Sequence, residues 1–65
     1  MTRQQELISE IRNFVREKGY APTIRELVAR LDMSHGTVQR ELIALASDGR
    51  IAKSDRTARS IRVLE

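Results

Sequence analysis

A chain of 65 residues with twelve Lys or Arg, nine Asp or Glu and a formal charge of +3 is one domain, near the lower size limit for folding without staples. The absence of cysteine excludes a disulfide framework and any thiolate metal site. No apolar run approaches the roughly 18 residues that a membrane span requires, and Met1-Thr2-Arg3 leads straight into a polar helix, unlike a signal peptide. These features predict a soluble, cytoplasmic domain. The charge is unevenly placed. Residues 1–33 hold six cations against five acids, whereas 49–64 hold five cations against Asp55 alone. A phosphate backbone attracts such a basic segment, although a solvated, Arg-rich hairpin has the same composition.

The first predicted helix runs from about Arg3 to Lys18. Thr2 and Gln5 have the capping-box spacing, and Gly19 can take the left-handed conformation that ends a helix. Leu7, Ile8, Ile11, Phe14 and Val15 fall on one stripe of 3.6-residue period. This helix reads as scaffold, with Glu10, Arg12 and Glu17 as solvated surface. Pro22 then forces Tyr20-Ala21 to be extended, with Tyr20 expected between the first two helices, its hydroxyl in water. Thr23 and Glu26 form a second capping box that opens a helix from Ile24 to about Leu31, with the stripe Ile24, Leu27, Val28 and Leu31. Eight residues do not hold as an isolated helix, so this one depends on packing.

Ser34 is placed as the N-cap of a third helix, from about His35 or Gly36 to Asp48 and ended by Gly49. Val38, Leu42 and Leu45 point inward. The opposite face carries His35, Gly36, Gln39, Arg40 and Ile43. Two short helices joined by a tight turn are the outline of a helix-turn-helix, whose second helix presents its polar face to a DNA major groove. Gly36 costs a helix up to about 1 kcal/mol against Ala. It is explained either by close approach of the backbone to a phosphate or base edge, or by its place in a fraying first turn. After Gly49 the apolar period changes from 3.6 to 2. Two strands, about Ile51 to Lys53 and Ser60 to Leu64, with a basic loop between them, make a β-hairpin wing over about 50–64. The fold class is therefore mainly α with a small antiparallel β-hairpin, a single three-helix winged helix-turn-helix over residues 1–65.

Several segments carry a family resemblance in one order along nearly the whole chain. They are Thr2-Arg3-Gln4-Gln5-Glu6, Gly19-Tyr20-Ala21-Pro22-Thr23-Ile24-Arg25-Glu26-Leu27, Thr37-Val38 with Leu42-Ile43-Ala44-Leu45, Gly49-Arg50-Ile51, and Arg59-Ser60-Ile61-Arg62-Val63-Leu64. With them the chain resembles the N-terminal DNA-binding domain of the LexA repressor family. The opening of helix 2 around Pro22 and the Arg-small-Ile ending of the wing are its more specific parts. The Ser34-X-X-Thr37-Val38 start of helix 3 is shared with many bacterial winged-helix regulators. The resemblance implies a bacterial or phage transcriptional regulator, at the nucleoid, that reads operator DNA with helix 3 and touches phosphates with its wing. By position, the family's base-reading surface falls on Ser34, Gly36, Thr37, Gln39 and Arg40, with His35 in the same turn.

The chain departs from the family in three ways. The turn between helices 2 and 3 is one residue shorter, with Asp32-Met33 where the family has Gly and an apolar residue. Gln39 and Arg40 differ from several members, so the operator sequence is not inherited. The family's C-terminal self-cleaving and dimerising domain, with its Ser/Lys pair, is missing, so neither autoproteolysis nor other catalysis is expected.

The chemistry of the residues assigns roles within this frame. Arg40 can donate two hydrogen bonds to guanine and Gln39 can pair with adenine; the competing role for Arg40 is an intrahelical pair with an acid. Ser34 is more a cap than a reader, and Thr23 can dock a phosphate at the start of helix 2. His35 has no companion ligand for a metal and no nucleophile for catalysis. As a phosphate-touching group it would bind better as pH falls through about 6.5. Lys53, Arg56 and Arg59 are the wing candidates for phosphate or minor-groove contact, while Arg50 and Arg62 equally suit local pairing or strand cover. No cofactor is expected. The expected partner is double-stranded DNA with a pseudo-palindromic operator, bound by a chain that is monomeric in solution and pairs on DNA or through a dimerisation domain of a longer protein. The alternative is a winged-helix protein-interaction module, for which an exposed Ile43 is the one hint.

Overall fold

Each helix begins at a side chain that satisfies one of its orphan backbone donors. The computed structural model describes residues 2–53 and 61–64. In α1 (Arg3–Lys18), the Thr2 hydroxyl accepts from the Gln5 N–H at 3.1 Å while the Gln5 side chain accepts from the Thr2 N–H at 3.2 Å. In α2 (Ile24–Leu31), Thr23 and Glu26 make the same reciprocal pair at 2.8 and 3.2 Å. In α3 (His35–Ser47), Ser34 accepts from the Thr37 N–H at 3.1 Å. All three starts fall where the capping residues predict.

The ends differ from one another. Gly19 closes α1 at φ +81°, its N–H donating to the Val15 carbonyl at 2.8 Å. Asp32 closes α2 at φ +55°, the one described non-glycine residue with positive φ. Gly supplies that geometry without steric cost, whereas an Asp adopts it against the clash of its own Cβ. The last turn of α3 ends in a Schellman arrangement. The Arg50 N–H reaches back to the Leu45 carbonyl at 3.0 Å and the Gly49 N–H to Ala46 at 3.1 Å. The helix therefore stops at Ser47, with Asp48 as cap, one residue before the predicted end.

The Arg50 carbonyl then accepts from the Leu64 N–H at 2.9 Å, which carries the helix end directly into the sheet. That sheet pairs β1 (Ile51–Ala52) with β2 (Arg62–Val63), antiparallel, Ile51 opposite Val63 and Ala52 opposite Arg62. Both strands are shorter than their sequence predicts. Ile51 and Ile61 are buried beneath them. Arg56 and Arg59 lie outside the described residues.

Leu7, Ile8 and Ile11 from α1, Leu27 from α2, Val38, Leu42 and Leu45 from α3, and Ile51 and Ile61 from the wing form one core. Fully burying an aliphatic side chain contributes about 1.5–3 kcal/mol, so this shared cluster holds the eight-residue α2 in place. Val15 departs from the expected stripe. It lies at the right helical angle but is 41% exposed, because an open groove between α1 and β2 faces it. Tyr20 also lines that groove. Its ring meets Phe14 edge-on at 5.7 Å and is 47% exposed.

Glu10 and Glu17 are not simply solvated surface. Both accept from the Arg30 guanidinium, at 2.8 and 2.7 Å, and the same guanidinium lies 4.8 Å from the centre of the Phe14 ring. One α2 side chain thus fastens α2 across α1 by two ion pairs and a cation–π contact. Among the described residues no helix is long and apolar enough to cross a membrane.

Candidate nucleic-acid interface

With Val38, Leu42 and Leu45 fully buried, the helical period turns His35, Gly36, Gln39, Arg40 and Ile43 to the exposed face of α3. Arg40 has no carboxylate within ion-pair distance among the described residues. The local pairing that competed with a binding role for it is therefore not formed there. Ile43 is 55% exposed on the same face.

The N-terminus of α3 is more constrained than its sequence suggests. Ser34 Oγ accepts the Thr37 N–H and also donates to Thr37 Oγ1 at 2.8 Å. Its hydroxyl is committed to the fold, which makes Ser34 a cap. The Thr37 hydroxyl accepts that bond and keeps its own proton for an outside acceptor. The remaining first-turn N–H groups and the positive end of the helix dipole favour an anion at the same place. Thr23 is similarly engaged, its hydroxyl bonded to Glu26 at 3.2 Å.

Gly36 stands in open space. A Cβ built there meets nothing within 4 Å, and its backbone is ordinary helix. No contact among the described residues requires glycine at this position.

The sequence-predicted residues thus divide into groups. His35, Gly36, Gln39 and Arg40 share one exposed helical face, joined by half-buried Thr37. Ser34 adjoins that face as its cap, and Thr23 caps the neighbouring α2. Lys53 follows β1 and is half-buried. Arg25 was not singled out in the sequence, yet it is exposed in the first turn of α2, beside the Thr23 cap. Its position off the Ile24-Leu27-Val28-Leu31 stripe is the signal that marks it.

A three-helix domain closed by a small antiparallel sheet, with an exposed polar face on the third helix, is a winged helix-turn-helix. The family model for the LexA DNA binding domain matches residues 1–60, and the chain belongs to that family. It is 38% identical over 64 residues to LexA repressor 1 of Geobacter sulfurreducens, covering 95% of this chain and 31% of that protein. It is also 38% identical over 64 residues to the LexA repressor of Halalkalibacterium halodurans, covering 97% and 31%. Against the LexA repressor of Thermosipho melanesiensis it is 27% identical over 63 residues, covering 97% and 32%. The chain thus spans about a third of the length of these curated relatives. Membership makes it a DNA-binding domain of a regulator, a class that is not catalytic.

Proposed function

We propose that the domain binds double-stranded DNA sequence-specifically, with the outer face of α3 in the major groove and the wing on the phosphate backbone, as part of a LexA-like transcriptional repressor. The observation that carries this reading is the exposed Gln39–Arg40 pair, where Arg40 has no ion-pair partner among the described residues. Arg40 donates to guanine O6 and N7, Gln39 pairs with adenine N6 and N7, and Ile43 meets a thymine methyl. Thr37 and the first turn of α3 take one phosphate, Arg25 and the α2 N-terminus that Thr23 caps take another, and His35 takes a third. The open space at Gly36 lets the backbone approach the duplex closely. Lys53, Arg56 and Arg59 supply the wing's contacts.

One module of this size buries little surface, and dimers on pseudo-palindromes are the usual route to tight specific binding. The chain is a monomer in solution that pairs on its operator. The exposure of Ile43 also suits the alternative of a protein-interaction module, but one apolar side chain is not a contiguous patch.

Selection from a pool of random duplexes tests the reading. An enriched, two-fold repeated motif is expected, with log affinity falling against log salt by about 0.9 per phosphate neutralised. Binding without enrichment would remove sequence specificity. No binding to any duplex would overturn the proposal and leave the protein-interaction reading.

A further inference from the structure

The open groove between α1 and β2 has a volume of about 720 Å³ and is unlike the α3 face. Its floor is apolar: Ile11, Val15, Tyr20 and Val63 line it, with Val15 and Tyr20 each more than two-fifths exposed. Arg16 and Arg62, both exposed, bring positive charge to it, and Arg12 lines it beside them. The Arg12–Arg16 edge continues into a second, more polar cleft that also holds Arg50. No lining residue comes from α2 or α3, so an occupant here leaves the exposed face of α3 free.

We propose that this groove docks a short segment of another protein that combines a large apolar side chain with flanking carboxylates. The apolar floor calls for an anchor, and the positive charge beside it selects the charge around the anchor. Other occupants match less well. Two-fold pairing with a second copy would set Arg12, Arg16 and Arg62 against their own equivalents, in a chain already at +3. A duplex would satisfy the arginines but bring no side chain to fill the floor. Residues 54–60 contain no large apolar side chain and carry more basic than acidic residues. The inference does not rest on DNA binding.

The test selects binders of the full chain from a displayed pool of short random peptides, then measures one enriched peptide against Val15→Glu and Arg16→Ser. Both positions are exposed in the last turns of α1, so both variants should keep the fold, which circular dichroism checks before binding is read. Enriched peptides should pair carboxylates with a leucine-like or aromatic anchor. Each substitution should weaken their binding at least about tenfold, equivalent to ~1.4 kcal/mol, while duplex affinity stays unchanged. Four results would overturn the proposal: no enrichment, enrichment of basic or purely apolar peptides, binding that both variants leave intact, or duplex affinity that falls with Val15→Glu. A dimer in sedimentation that Val15→Glu abolishes would assign the groove to a second copy and overturn it as well. Peptide selection and duplex selection can fail separately, which keeps the two proposals distinguishable.

Discussion

The Ser34 hydroxyl is held at both ends by one residue: it accepts the Thr37 N–H at 3.1 Å and donates to the Thr37 hydroxyl at 2.8 Å. This local ring fixes where α3 begins and which hydroxyl proton remains for an outside acceptor. Ser34→Ala should therefore act first on stability. A loss of about 1 kcal/mol is expected, read as a lower denaturation midpoint, with Ser34→Gly recovering much of it. A Ser34→Ala variant of unchanged stability and weakened duplex binding would make Ser34 a reader instead.

Gly36 should show opposite signs in two assays. With open space for a Cβ and helical backbone, Gly36→Ala should stabilise the fold by up to about 1 kcal/mol. In the proposed binding mode the same methyl stands where the duplex approaches, so binding should weaken several-fold. Unchanged affinity would leave Gly36 as merely a first-turn glycine.

Asp32 is the one described side chain in left-handed backbone. Asp32→Gly removes a Cβ clash costing roughly 1–2 kcal/mol, partly offset by the freer unfolded chain. A net gain of about 1 kcal/mol should raise the melting temperature of so small a domain by about 4–8 °C. Thermal denaturation checks this directly.

The Arg30 clamp should leave an acid-side signature. Hydrogen bonding from Arg30, and then its charge, holds the Glu17 carboxyl below its ordinary value of 4.5. A carboxylate whose folded pKa is depressed stabilises the fold fully above its unfolded pKa. That contribution is lost as pH falls through the lower folded value. Stability should thus decline below about pH 4.5, and Arg30→Met, which keeps an apolar side chain on Phe14, should flatten the decline. Glu17 is exposed to solvent, so added salt should shrink the effect. A profile identical in wild type and Arg30→Met would rule the clamp out as its source.

The helices were legible because their signals are local. Thr2 with Gln5, Thr23 with Glu26 and Ser34 lie within one turn of the groups they cap, and Gly19 adjoins the turn it ends. Longer-range relationships were not legible. Arg30 meets Glu10 and Glu17 across 20 and 13 residues, through a packing angle that no periodicity states. Val15 has the angle of a core residue, and only the reach of β2 decides that a groove faces it. The strands contract to two residues each because their pairing is set by long-range contacts, whereas alternation in sequence extends further than the ladder. At the candidate interface, the polar face of α3 followed from helical period alone. That Ser34 is bonded twice to Thr37, and that Gly36 has no internal reason to be glycine, required the structure.

If the outer face of α3 reads bases, Arg40→Ala must lose both affinity and discrimination. The measurement is the affinity of wild type and variant for the selected duplex and for each single-base substitution of it. A loss of about 1–3 kcal/mol is expected together with a flattened preference at one base pair, the others keeping theirs. Equal weakening on every sequence, with a shallower salt dependence, would place Arg40 on the phosphate backbone and contradict base reading by this residue.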